Sequence, residues 1–222
     1  MKDGKALLAE GIEILRKSDE DIECLIATRK EDIISLLELY IKEIETFNPA
    51  YGLVGTNDTN ELVIKHILDS LAPLGIIYRM LKGKNIADAG SGAGLPGIPL
   101  AIALPNTHFT LIERMGRRAG FLLNTKAVLG LSSITVEESD LERVAKGRFD
   151  LVTFRAFKPL EPKLLKTLFK VCVPGGIIAA YKGKREKTEA QTALLQEYDW
   201  QIIPYSVPFL EEERNLLVIK SK

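Results

Sequence analysis

A glycine-rich run, Gly90-Ser91-Gly92-Ala93-Gly94, stands directly after the apolar stretch Ile86-Ala87-Asp88-Ala89 and directly before a second apolar run, 95–104. Strand, glycine turn and helix in that order open a βαβ unit, and this limits what the rest of the chain can do. The alternation continues downstream. Strands are expected at 107–113, 133–136, 149–154 and 177–181, and helices at 95–104, 116–129, 160–171 and 188–196. Two last strands fall near 200–207 and 216–220. Such alternation indicates an α/β fold with a parallel, doubly wound sheet.

Before Lys84 the pattern is helical. Leu7, Leu8, Ile12 and Leu15 share one helix face, Ser18-Asp19-Glu20-Asp21 offers a cap and an acidic first turn, and Ile33, Ile34, Leu37, Tyr40, Ile41 and Ile44 recur in the 3–4 rhythm. Asn48-Pro49 is expected to stop that third helix, with a loop over 48–59 and helices over 61–71 and 73–81. The chain therefore divides into a helical extension, 1–82, packed on an α/β domain, 83–222, as one compact unit.

Composition excludes several classes. With 46% hydrophobic and 27% charged residues the 222-residue chain is globular, not disordered, and it has no apolar run of membrane-spanning length. Its first residues have neither the apolar core of a signal peptide nor a transit-peptide bias. Cys24 and Cys172 both stand among apolar residues and read as buried thiols of a reducing compartment. Two histidines and no Cys-x-x-Cys argue against zinc. A cytoplasmic protein without a metal is expected. The net charge is zero, yet residues 1–46 carry 7 basic and 12 acidic groups while the window 155–187 carries nine and two. Local basic patches suit an anionic partner.

In a βαβ unit the first strand-to-helix turn holds nucleotide-like ligands, because glycines let the backbone approach and the helix offers free N–H groups. The dinucleotide fingerprint needs a third glycine where Leu95 stands, and a pyrophosphate would meet Asp88 as a like charge. A cationic ligand with an amino-acid tail would not, and S-adenosylmethionine is such a ligand. No Gly-Lys-Ser/Thr ends the turn, so it is not a P-loop. Glu113 closes the second strand, where a carboxylate can accept from both hydroxyls of a ribose; this supports a ribose without choosing the cofactor. Ser139-Asp140-Leu141-Glu142 follows the third strand and is placed to meet an adenine.

The run Asp88-Ala89-Gly90-Ser91-Gly92-Ala93-Gly94-Leu95-Pro96-Gly97-Ile98-Pro99 resembles the signature of the bacterial 16S rRNA guanine-N7 methyltransferases, the glucose-inhibited division protein B family. Further matches are Lys65-His66-Ile67-Leu68-Asp69-Ser70-Leu71, Gly116-Arg117-Arg118 with Phe121-Leu122, Phe149-Asp150, Arg155-Ala156, Lys182-Gly183 and Arg214. The resemblance covers roughly 45–220. It departs at Asp140, where the family has Arg, and at Glu113-Arg114, where it has Asp-Ser. The resemblance implies a Rossmann-like class I methyltransferase fold with a seven-stranded, mostly parallel sheet. It implies S-adenosylmethionine bound by Asp88, Gly90, Gly92, Gly94, Leu95, Glu113, Asp140, Leu141, Glu142 and Arg155. It also implies a substrate pocket shaped by His66, Asp69, Ser70 and Arg155, with 16S rRNA as partner, free or in a small-subunit particle. A monomer is favoured.

Methyl transfer to guanine N7 needs no general base, since N7 has a free lone pair, and no catalytic dyad stands out in the sequence. The place after strand four holds Thr153-Phe154-Arg155-Ala156, not the Asn-Pro-Pro-Tyr of amino-group methylation, and Cys172 lacks the surroundings of a nucleophile. Asn48-Pro49-Ala50-Tyr51 resembles that motif but precedes the glycine loop. For Arg155 the competing reading is an ion pair with Asp150 or Glu161. Arg117, Arg118, Lys182, Lys184 and Arg185 are the candidates to grip RNA phosphates. The rival functions are a methyltransferase of another RNA or a small molecule, a nicotinamide oxidoreductase, and a non-catalytic RNA-binding module.

Overall fold

The computed structural model describes residues 3–157, 160–192 and 195–221. Seven strands form one sheet: β1 (Asn85–Ala89), β2 (His108–Glu113), β3 (Ile134–Glu138), β4 (Phe149–Arg155), β5 (Cys172–Lys182), β6 (Tyr198–Tyr205) and β7 (Arg214–Ser221). Their order is β3-β2-β1-β4-β5-β7-β6. The first five are parallel, and β7 is antiparallel to both its neighbours. Chain order reverses at β1, which pairs with β2 on one side and β4 on the other. Ligands of open α/β sheets bind at the carboxyl ends of strands at such a switch point.

The pleat sends alternate residues to two cores. Ile177, Ala179 and Tyr181 of β5 join a core shared with the helices α1 (Gly4–Ser18), α2 (Glu20–Ile26) and α3 (Lys30–Tyr51), with α6 (Leu74–Met80), α7 (Gly97–Ala103) and α8 (Gly116–Val128). Ile178 and Ala180 face the second core, with α9 (Pro162–Val171). The helices before β1 thus bury their apolar stripes in the same core as one face of the sheet. Between α3 and α6 the chain runs as one helix: α4 (Thr59–Leu62), a π-helical turn (Val63–Leu68) and α5 (Asp69–Leu71).

Some expectations are corrected. The third helix does not stop at Asn48-Pro49 but continues to Tyr51 and ends on Gly52 at φ +57. Asn48 is held by tertiary bonds: its Oδ1 accepts from Val54 N at 2.9 Å, and its Nδ2 donates to Thr56 O at 2.9 Å and Asn57 Oδ1 at 3.0 Å. This outweighs the bias that a following proline imposes. The fifth strand, expected over 177–181, starts earlier, at Cys172, and takes Pro174-Gly175-Gly176 in as an irregularity, where the register shifts between Phe149 and Leu151 and Gly175 has φ +78. The last helix, α10, covers Arg185–Thr192; residues 193 and 194 of its expected range lie outside the described residues. Cys24 is exposed, not buried, because Ile22 and Ile26 take the inner face of α2 and position 24 falls on the other side. Cys172 is buried, and both thiols are free. Among the described residues no helix is long and apolar enough to cross a membrane, and no cluster could hold a metal.

Candidate active site

The turn after β1 is tied to the next strand. Gly90 N and Ser91 N both donate to Ile112 O, at 2.9 and 3.1 Å. Gly90 has φ +69, and a Cβ there would lie 2.1 Å from the Phe157 ring, so only glycine fits. Gly92 differs. It has φ +57, but a Cβ there would meet nothing closer than Gly90 O at 3.9 Å and Arg118 Nη1 at 4.0 Å. The open space over Gly92 is a cradle that a side chain would fill and a ligand can enter.

Asp88 is fully buried beneath this turn. Its Oδ2 accepts from Gly97 N at 3.0 Å, at the start of α7, while Oδ1 is buried with no partner. Burial pushes its carboxyl up to about 7, against the opposing hydrogen bond from Gly97 N, while the Ser91 hydroxyl donates to the Asp88 backbone carbonyl at 2.8 Å. An ionised Asp88 therefore lacks one hydrogen bond, and a nearby cation would satisfy it. The sign for stability follows from linkage. The unfolded group ionises near 3.8, so protonation favours the fold at low pH and that contribution is lost as pH rises through 7. Between pH 5 and 7 the loss is about 1.4 kcal/mol per pH unit. Asp88→Asn removes it. Denaturant unfolding should show the variant gaining on the parent protein by about 2–3 kcal/mol between pH 5 and pH 8. An unchanged difference would show that Asp88 does not titrate in this window.

Glu113, 5% exposed at the end of β2, accepts from Gly92 N at 3.0 Å through Oε2 and from Met115 N at 2.8 Å through Oε1. It fixes the glycine turn, a role that spacing alone does not reveal. Each carboxylate oxygen keeps a second acceptor site for a ribose diol. A cleft of about 290 Å³ opens here, lined among others by Gly90, Glu113, Met115, Asp140, Leu141 and Phe157. Ala156, also in its wall, has φ +49, an uncommon conformation for a non-glycine residue and one that gathers at functional sites. Ser139 N donates to Glu113 O at 3.1 Å, which brings the Asp140 segment to the cleft.

Other expected residues lie elsewhere. Gly94 turns to the core, where a Cβ would meet Ile98 at 2.4 Å, and Leu95 is 6% exposed within that core. Glu142 is exposed, and its carbonyl accepts from Lys170 Nζ at 2.9 Å. Arg155 does not line the cleft. It pairs with neither Asp150 nor Glu161: Nη1 donates to Lys65 O at 3.2 Å and Asp69 Oδ2 at 3.4 Å, and Nη2 to His66 Nδ1 at 2.9 Å. Asp150 instead accepts from Asn85 N at 2.9 Å.

Arg155 belongs to a polar cluster centred on Asp69, which is 4% exposed. Arg214 Nε approaches Asp69 Oδ2 at 3.4 Å, and Tyr205 OH donates to Oδ1 at 3.0 Å. Burial first, then the Arg155 charge, lowers the His66 imidazole to about 4, so it is neutral at pH 7. A guanidinium can only donate, so Nδ1 is the acceptor and Nε2 carries the proton. Ser70 is a brace: fully buried, its Oγ donates to His66 O at 2.7 Å and its carbonyl accepts from Tyr181 OH at 2.8 Å.

Of the cations expected to grip phosphate, three are engaged. Arg118 lines the cleft and donates to Gly52 O at 3.0 Å. Lys182 is partly buried, its ammonium lowered by that burial and bonded to Gln191 Oε1 at 2.9 Å. Arg185 pairs with Glu189 at 2.7 Å. Arg117 stays exposed, 5.8 Å from the Tyr51 ring centroid, and Lys184 is exposed.

Tyr40 is the residue the helical rhythm hides. Fully buried on α3, its hydroxyl donates to Ala93 O in the glycine turn at 2.7 Å. Only the need of a buried phenol for a partner signals it. Tyr40→Phe should weaken the cofactor by about 0.5–1.5 kcal/mol with the fold intact. Calorimetry checks this, and an unchanged Kd removes Tyr40 from the support of the loop.

Comparison with known proteins bears on this geometry. Residues 33–218 match the family described as rRNA small subunit methyltransferase G. The chain is 39% identical over 218 residues to the ribosomal RNA small subunit methyltransferase G of Treponema pallidum (strain Nichols), covering 96% of this chain and 93% of the relative. The chain belongs to the rRNA small subunit methyltransferase G family. A second member, from Klebsiella pneumoniae, is 38% identical and covers 84% of this chain and 88% of its own. Among solved structures, a putative S-adenosyl-L-methionine-dependent methyltransferase from Methanococcus maripaludis aligns with TM-score 0.57 and 16% identity, covering 82% of this chain and 92% of that one. A tRNA (m1A58) methyltransferase from Aquifex aeolicus aligns with TM-score 0.55 and 12% identity, covering 70% and 68%. These two show the fold: a Rossmann-like class I methyltransferase sheet.

Proposed function

We propose that this protein transfers a methyl group from S-adenosylmethionine to N7 of one guanine in 16S ribosomal RNA. One observation carries the reading: the switch point holds an open glycine cradle beside a ribose-competent carboxylate, and Asp88, Glu113 and, in the neighbouring cluster, His66 each already hold a partner. Asp88 caps α7, Glu113 holds two backbone N–H groups, and His66 Nδ1 accepts from Arg155. Such a site suits an acceptor atom that has no proton to lose.

S-adenosylmethionine, when bound, supplies an electrophilic methyl group on a cationic sulfur. The chain's own work is placement and exclusion of water. Gly92 leaves room for the ligand, Glu113 accepts from the ribose hydroxyls, and Asp140 with Leu141 meets the adenine. The buried Asp88 carboxylate favours a cation nearby. Arg155 has five N–H donors, spends part of them on Lys65, His66 and Asp69, and gives the rest to the substrate. The name of the family supports small-subunit rRNA as the substrate. The protein acts as a monomer on this RNA, free or in a small-subunit particle, in the cytoplasm.

The nicotinamide alternative is disfavoured by Leu95, whose side chain fills the core where a third glycine would let helix and strand approach. Calorimetry with S-adenosylmethionine, S-adenosylhomocysteine and NAD decides between the two. Binding of the first two and not of NAD is expected; binding of NAD alone would end the methyltransferase reading.

A further inference from the structure

The loop from β6 to β7 carries a side chain that the site described above does not use. Phe209 is 41% exposed and has φ +65, a conformation in which a bulky residue is strained and glycine is not. The loop around it is anchored. Val207 and Pro208 are buried, Leu210 packs partly into the core, and Leu210 N donates to Val207 O at 3.1 Å. Both stems are pinned to one carboxylate, Tyr205 through Asp69 Oδ1 at 3.0 Å and Arg214 through Asp69 Oδ2 at 3.4 Å. Tyr205 pairs with Arg214, and Asn215 pairs with Lys182 at the carboxyl end of β5. The loop therefore stands at the same edge of the sheet as the glycine turn and Arg155. A scaffold tied to Asp69, and through it to Arg155, holds a strained residue with its ring partly exposed at this edge.

We propose that Phe209 is a stacking platform for an unpaired base of the RNA substrate. The proposal rests on the RNA-methyltransferase reading. Glu211, Glu212 and Glu213 follow on the same loop and are exposed; Glu212 pairs with Arg214 at 3.0 Å and Lys65 at 3.7 Å, and Glu211 and Glu213 keep the loop acidic, which disfavours a phosphate there, whereas the face of a base carries no charge. Cations suited to phosphates stand at the same edge of the sheet: Arg117, Lys163, Lys184 and Lys187, at or near the first turns of α8, α9 and α10, are exposed and free of ion pairs among the described residues. Aromatic rings stack on any base, and RNA bases become available in loops and single strands.

Phe209→Gly separates function from structure, because it removes the ring and also relieves the backbone. The expected result is a Tm equal to or above that of the parent protein and an unchanged Kd for S-adenosylhomocysteine. KM for unmodified 16S rRNA should rise about 5- to 100-fold, the scale of losing one stacked base. Phe209→Tyr and Phe209→Trp should restore KM. In a Trp200→Phe background, the Phe209→Trp fluorescence should be quenched by 16S rRNA and not by duplex RNA. A parental KM in Phe209→Gly overturns the proposal, as does a marked loss of Tm, which would make the ring structural. If the parent protein itself transfers no methyl group to rRNA, the functional reading fails; if the parent is active and Phe209→Gly matches it, only the stacking role fails.

Discussion

Gly92→Val should reduce the affinity for S-adenosylmethionine by at least about 100-fold, equivalent to about 2.7 kcal/mol. Two effects add. The branched side chain would occupy the open cradle, which has no atom closer than 3.9 Å to an ideal Cβ. It would also sit at φ +57, where a β-branched residue is strained by about 1–3 kcal/mol. Part of that strain appears as lost stability, so the melting temperature has to be read beside the titration. Gly92→Ala shares the backbone cost and little of the bulk, and should bind better than the valine variant. Normal binding by Gly92→Val would mean that the ligand does not approach this turn. Gly94 makes a contrast: a side chain there meets Ile98 and Leu122, so its substitution should cost stability through the core.

Asp69→Ala is expected to be the most destabilising single change at the site. It leaves Arg155 and Arg214, each 17% exposed in its side chain, facing one another without their shared carboxylate, and leaves the Tyr205 hydroxyl without its acceptor. Breaking a buried pair from one side costs about 3–5 kcal/mol, and the 3.4 Å separations with partial exposure reduce this to about 2–4 kcal/mol. For a chain of this size that is a fall in Tm of roughly 5–15 °C. Asp69→Asn keeps an acceptor for Tyr205 and should lose less. Thermal unfolding of both variants checks the order, and an alanine variant as stable as the parent would show that the two arginines find other partners.

The sheet was legible because its signals are local. A glycine turn between two apolar runs, and strands spaced by amphipathic helices, need no knowledge of distant residues. The places of Glu113 and Asp140 in the wall of the cleft were legible for the same reason, each standing at or just past a strand end. What the sequence hid depends on contacts across the chain. Tyr40 reaches Ala93 over 53 positions, and Tyr205 reaches Asp69 over 136. Arg155 reads in the sequence as a cofactor or substrate contact, with an ion pair to Asp150 or Glu161 as the competing reading; its partners on a helix 86 positions away were not legible. Pro49 shows tertiary bonds overriding a local rule, since the buried Asn48 side chain holds the helix through the proline. Lys182 and Lys184 are two residues apart in one basic run; the first is partly buried at the end of β5 and bonded to Gln191, and the second stays exposed. Charge counted along a sequence does not separate a desolvated lysine from a solvated one.

The most direct test is to locate the methyl group. Unmodified 16S rRNA, alone and within small-subunit particles, is incubated with the protein and S-adenosylmethionine carrying a labelled methyl group. Chain cleavage at N7-methylguanine then identifies the modified base. The account predicts one labelled guanine, cleaved as the N7-methyl form, in at least one of the two substrates, and no label with Gly92→Val. Label on another base, label on a guanine that resists this cleavage, or no transfer to either substrate while S-adenosylmethionine binds, would contradict it.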